Sequence, residues 1–79
     1  MNSERKVTYI VASYVNPRDG VGLETYINGD LVMEIFRDDS ERRTYVAPFA
    51  KRIDLDVLEA SIREFKERID LSYIEYPDD

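Results

Sequence analysis

The chain has neither histidine nor cysteine, which removes most of the ways a small protein does chemistry. Ser-His-Asp triads, Cys-His dyads, thiolate or imidazole zinc sites and the commonest general base near neutral pH all need one or the other. Ser, Thr, Lys, Tyr and the carboxylates remain. No serine stands in a Gly-x-Ser-x-Gly frame, where a strained turn would present its hydroxyl.

Glu24 and Glu34 are the first carboxylates to weigh. Held close on one sheet face, two such groups push their pKa values apart and can share acid–base work. On a wet face they simply avoid each other, which is the plainer expectation. Asp38, Asp39 and Glu41 offer oxygen ligands to a hard cation. The Asp-x-Asp-x-Asp-Gly spacing and distant bidentate Glu of a calcium loop are missing, so they read as a solvated turn. Gly20-Val21-Gly22 is a lone Gly-x-Gly between two strands. A phosphate cradle needs a helix N-terminus directly after it, so strand and turn geometry accounts for these glycines.

Arg42-Arg43 and Lys51-Arg52 bracket a strand that carries Tyr45, with Phe49 just beyond. Cations beside aromatic rings are the makings of a single-strand stacking platform. No ribonucleoprotein-like aromatic motif accompanies them. The same charges serve to keep a sheet edge from pairing. The expectation is a protein without catalytic residues, cofactor, metal or small-molecule ligand.

These side chains must be placed by a small set of elements. Asn28-Gly29 between two β-type runs is the strongest short hairpin signal a sequence carries. Strands are predicted at about 6–15, 21–27, 31–37 and 42–49 from their Val, Ile, Thr and Tyr content. Asn16-Pro17-Arg18-Asp19-Gly20 is a turn, because Pro presets φ and Gly20 accepts a positive one. Pro48 cannot donate to a ladder, so the fourth strand is expected at an edge.

The hairpin register follows the apolar pattern, because a slip of one residue turns every side chain over. A three-residue connection with Gly29 left-handed puts Val21, Leu23, Thr25, Leu31, Met33 and Ile35 on one face. Glu24, Tyr26, Val32, Glu34 and Phe36 then share the other.

A helix is predicted over about 55–69. Asp54 has the type and place of an N-cap that accepts from the first free N–H groups. Ile53 and Leu58 have hydrophobic-staple spacing. Leu55, Leu58, Ile62, Phe65 and Ile69 line up as one apolar stripe. Glu59–Arg63 and Glu64–Arg68 are i,i+4 pairs on the wet side. Leu71 to Tyr76 has the composition of a short fifth strand.

The whole reads as one α+β domain over 1–79: a two-layer, four-stranded antiparallel β-meander with one C-terminal helix on the odd-numbered face of the hairpin. The chain has 79 residues, 11 basic against 17 acidic, for a net charge of −6. Such a surface repels phosphate backbones and anionic lipid, so neither nucleic acid nor membrane is expected as a partner. No apolar run reaches the roughly 18 residues of a membrane span. The absence of cysteine suits a reducing cytosol, and a cytoplasmic setting is expected.

One helix cannot cover both faces of a four-stranded sheet. The even face is therefore expected to display Tyr26, Val32 and Phe36, with Tyr45 and Phe49 if pairing aligns them and Glu24 and Glu34 as a rim. Aromatic groups among charges suit a protein interface. Two partners fit: a basic protein that this acidic chain inhibits, in the manner of an immunity protein or antitoxin, or a second copy in a homodimer through the uncovered face.

Overall fold

The computed structural model describes residues 5–14 and 19–69, apart from the Tyr14 side chain. Strands β1 (Val7–Tyr14), β2 (Gly20–Ile27), β3 (Asp30–Asp38) and β4 (Arg43–Pro48) form an antiparallel sheet in the order β1-β2-β3-β4. Helix α1 (Leu55–Arg68) packs on one face over β2 and β3. This is the α+β meander expected from the pattern. The predicted strand at 71–76 and residues 16–18 of the predicted turn lie outside the described residues. Gly20 opens β2 and does not take the positive φ expected of it, because it is already extended in the ladder with β1 and β3.

The central hairpin reaches its register by a different route from the one predicted. Asn28 and Gly29 have φ of 52° and 89°, the two positive values of a type I′ turn. Ile27 therefore pairs directly with Asp30 across a two-residue loop. The extra residue sits inside β3. Tyr26 pairs with Leu31 and Thr25 with Met33, so Val32 is an extra bulge residue. The bulge restores the apolar pairs Thr25–Met33 and Leu23–Ile35. It also exchanges two side chains. Leu31 now stands opposite Tyr26, and Val32 packs against the helix-side core.

Asn28 has a second task. Its backbone N–H donates to the Lys6 carbonyl at 2.8 Å, and its side-chain Oδ1 accepts from the Lys6 N–H at 2.9 Å. The turn thereby clamps the start of β1.

The core is Leu23, Met33 and Ile35 from the sheet with Phe65 and Ile69, while Val57 is buried on the same helix. The buried line of α1 is Val57, Ser61 and Phe65, rotated from the predicted stripe. Leu58 packs against the core, but Leu55 is 67% exposed and Ile62 36%. The rotation has a polar cause. Ser61 Oγ lies 2.9 Å from Thr25 Oγ1, and both residues are fully buried. Ser61 spends its one proton on the Val57 carbonyl at 2.8 Å, so Thr25 donates and Ser61 accepts. Small hydroxyls at this contact let the helix lie close over β2 while each hydroxyl proton has an acceptor.

Asp54 stands at the N-cap with φ −62° and ψ 141°, but its carboxylate makes no capping bond. Its backbone carbonyl accepts from Val57 at 3.0 Å and Leu58 at 3.1 Å. Arg5 takes the carboxylate instead: Nη1 meets Asp54 Oδ2 and Nη2 meets Asp56 Oδ2, each at 2.8 Å. Ile53 packs on the core beside Leu58, in keeping with the staple. Of the two predicted helical ion pairs, Glu64–Arg68 closes at 2.8 Å.

Candidate interaction surfaces

The helix-free face differs from its expected form. Glu24 and Glu34 do stand directly opposite each other, and the Tyr26 hydroxyl donates to Glu24 Oε1 at 2.9 Å. That bond holds the proton on Tyr26 and raises its pKa above the ordinary phenol value, with burial and the glutamate charges adding to the effect. Glu34 and Phe36, however, are 3% and 0% exposed. Neither can be displayed to a partner as expected.

The glycines explain how they fit. A Cβ on Gly22 would come within 2.6 Å of Glu34 Oε2, so the Glu34 side chain lies across the bare backbone of β2. A Cβ on Gly20 would run into the Arg37 carbonyl and stand 2.9 Å from the Phe36 ring. On its other side Phe36 meets Tyr45, with ring centroids 5.8 Å apart. Gly20-x-Gly22 is thus a trough for the side chains of the neighbouring strand. Val32, predicted on this face, is on the other side, half-buried against the core. Glu24, Tyr26 and Tyr45 remain half-buried.

The acidic turn is occupied by its own backbone and by arginine. Asp38 Oδ1 accepts from the Ser40 N–H at 3.0 Å, the Ser40 hydroxyl at 2.8 Å and the Glu41 N–H at 3.0 Å. Asp39 is buried against Arg37: Nε stands 2.9 Å from Oδ1 in charge contact, and Nη2 donates to Oδ2 at 3.1 Å. Among the described residues no three His, Cys, Asp or Glu side chains gather as a metal site, and no helix is long and apolar enough to cross a membrane.

Exposed apolar side chains lie instead along the two edges of the sheet. On the β4 side they are Val46, Phe49 and Ile62, and Leu55 is exposed at the start of α1. An open groove of about 370 Å³ runs here between β4 and α1, floored by Ile35 and Phe65 and walled by Val46, Ile62 and Lys66. Its strand edge is guarded. Phe49 N–H donates to the Val32 carbonyl at 2.9 Å. By the alternation of an antiparallel ladder, Ala47, Tyr45 and Arg43 also face β3, and Thr44, Val46 and Pro48 turn their backbone outward. The outward Pro48 has no N–H to offer, and Arg42, Arg43, Lys51 and Arg52 are exposed around the strand. Proline and charge are what natural sheets use to stop edge pairing.

The β1 strand itself has neither device, although exposed Arg5 and Lys6 stand just before it. Its eight residues, Val-Thr-Tyr-Ile-Val-Ala-Ser-Tyr, include no charge and no proline, and its register with β2 is unbroken. Ile10 is 50% exposed on the helix-free face and Val11 45% on the helix side. The sequence pattern leaves this edge unread, because both faces of the strand are apolar and alternation alone names no inward side. The available signal was eleven consecutive uncharged residues, Val7 to Pro17, in a chain that is 35% charged. Comparison with family models, with curated proteins and with solved structures returns no match.

Proposed function

We propose that the chain is a small, non-catalytic, cytoplasmic protein-interaction module that works by strand addition at β1. The observation that carries this reading is the contrast between the two edges. β4 has six residues with Arg43 and Pro48 among them, whereas β1 has eight with neither charge nor proline and exposes Ile10 and Val11; Arg5 and Lys6 precede it. Among the described residues no strand lies on the outer side of β1, and an edge strand with apolar side chains is a template for another strand. The candidate chemistry also supports it. Glu34 is buried, Glu24 is bonded to Tyr26, and the acidic turn is engaged in its own hydrogen bonds.

A second reading keeps the acidic surface as the working one, as an inhibitor of a basic protein. The net charge of −6 and the half-exposed Glu24 and Tyr26 favour it; the burial of Glu34 and Phe36 removes the middle of its surface. Affinity capture from native lysate with the wild type and with Ile10→Lys, at low and high salt, separates the two. Capture lost in Ile10→Lys supports the β1 edge. A basic partner held equally by both proteins and released by salt overturns it in favour of the inhibitor.

A further inference from the structure

We infer that the strand added to β1 is β1 of a second copy, antiparallel, with the two-fold axis at Ile10. The inference rests on the reading of β1 as the working edge, and it adds the partner and the register.

The outward groups of β1 follow from the clamp at its start. Asn28 N–H donates to the Lys6 carbonyl, so Lys6 faces β2. Alternation then turns Thr8, Ile10 and Ala12 toward β2, and leaves the N–H and C=O of Val7, Tyr9, Val11 and Ser13 pointing out of the sheet. An isologous antiparallel pair must bring residue i against j and j against i. One register uses every outward group: Val7 opposite the partner copy's Ser13, and Tyr9 opposite its Val11, each exchanging two hydrogen bonds. Shifting the register by two residues either way leaves a pair unmade.

The same register pairs the exposed apolar side chains. Opposite residues in an antiparallel pair project to one face, so the two Ile10 side chains meet on the helix-free side, where each is half exposed alone. On the helix side Val11 meets Tyr9. Arg68, 5.7 Å above the Tyr9 ring, is already paired with Glu64 and brings no free cation to the junction. A second copy suits this edge in another way. Two chains of net charge −6 repel wherever charged surfaces approach, and β1 is an eight-residue segment that can meet its own copy with no charge in the contact.

The register makes a covalent test available, because the chain has no cysteine. Ile10 and the partner copy's Ile10 form a non-hydrogen-bonded pair, with Cα atoms about 4.5 Å apart, inside the range a disulfide spans. Thr8 lies opposite Ala12, so two copies of residue 8 are about 13 Å apart. Ile10→Cys and Thr8→Cys are oxidised gently and run on non-reducing gels, while wild type and Ile10→Lys are weighed by light scattering from about 1 µM to 1 mM, a span set by the weak affinity of small interfaces. Circular dichroism checks that each variant is folded.

The expected result is a concentration-dependent wild-type dimer, a folded monomeric Ile10→Lys, and a crosslinked dimer from Ile10→Cys at least tenfold faster than from Thr8→Cys. A wild-type dimer broken by Ile10→Lys but crosslinked no faster at residue 10 than at residue 8 overturns the register and leaves the β1 edge standing. A wild type that stays monomeric throughout overturns the second copy as partner, while capture of another protein at β1 remains open to the lysate experiment. A dimer indifferent to Ile10→Lys overturns the use of β1 itself.

Discussion

Thr25 and Ser61 show how much one buried hydroxyl pair decides. The helix could have turned its Leu55–Ile62 side inward; it instead turned Ser61 onto Thr25. The donor order makes the two residues unequal. Ser61→Ala leaves the fully buried Thr25 hydroxyl without an acceptor, and an orphaned buried donor costs about 1–3 kcal/mol, less a few tenths regained from alanine's helix propensity. Thr25→Val removes the donor, and Ser61 still bonds the Val57 carbonyl, so the cost stays within about 1 kcal/mol. Urea titration reads both: the midpoint falls further for Ser61→Ala, with the slope unchanged in each. Equal losses would mean that Thr25 is the acceptor.

At the scale of elements, the rotation of α1 separates residues that the apolar stripe treats alike. Phe65 is 3% exposed among core residues, and Ile62 is 36% exposed on the groove wall. Phe65→Ala should cost about 3–5 kcal/mol and Ile62→Ala about 1 or less, since large-to-small losses scale with burial and the cavity left. Similar losses would put the predicted stripe back in place.

The tether of α1 to the chain start has a pH signature. Asp56 is held below its ordinary value of 3.8, first by the hydrogen bond from Arg5. A carboxyl depressed in the folded state stabilises above its unfolded value and loses that contribution as pH falls through the folded one. Arg5→Gln should therefore lower Tm near pH 6, and the gap to the wild type should close as pH falls below the ordinary carboxylate range. The groups are exposed, so the gap should also shrink in high salt. A gap that persists in acid would assign Arg5 a packing role.

What could be read beforehand follows the range of each interaction. The meander was legible because Asn28-Gly29 and Pro48 act within a few residues of themselves. The bulge at Val32 was not, because a two-residue loop and an inserted strand residue give Leu23 and Ile35 the same face as the three-residue loop would. The helix rotation turned on Thr25, 36 residues away from Ser61 in sequence. Gly20 and Gly22 leave the room that Phe36 and Glu34 occupy, and an absent Cβ leaves no mark in an apolar pattern.

For the whole molecule, salt separates the two ways this protein can find a partner. Each copy carries a net charge of −6, and β1 contributes none of it. A dimer through β1 therefore has repulsion between the bodies of its copies and no attraction between opposite charges at the junction. Salt shortens the reach of that repulsion, from a Debye length of about 10 Å at 0.1 M to about 3 Å at 1 M. Self-association should tighten several-fold between about 0.05 M and 1 M sodium chloride. Chloride is the salt to use, because sulfate would strengthen apolar burial on its own account. A complex with a basic inhibitor target moves the other way, since its encounter depends on the attraction that salt screens. Sedimentation equilibrium across the series reads the sign directly. Tightening places the contact on uncharged surface, and of the two edge strands only β1 has no charged residue. Loosening would mean that carboxylates of one copy meet the arginines and lysines around β4 of the other, a head-to-tail contact that builds chains of molecules where β1 closes a pair.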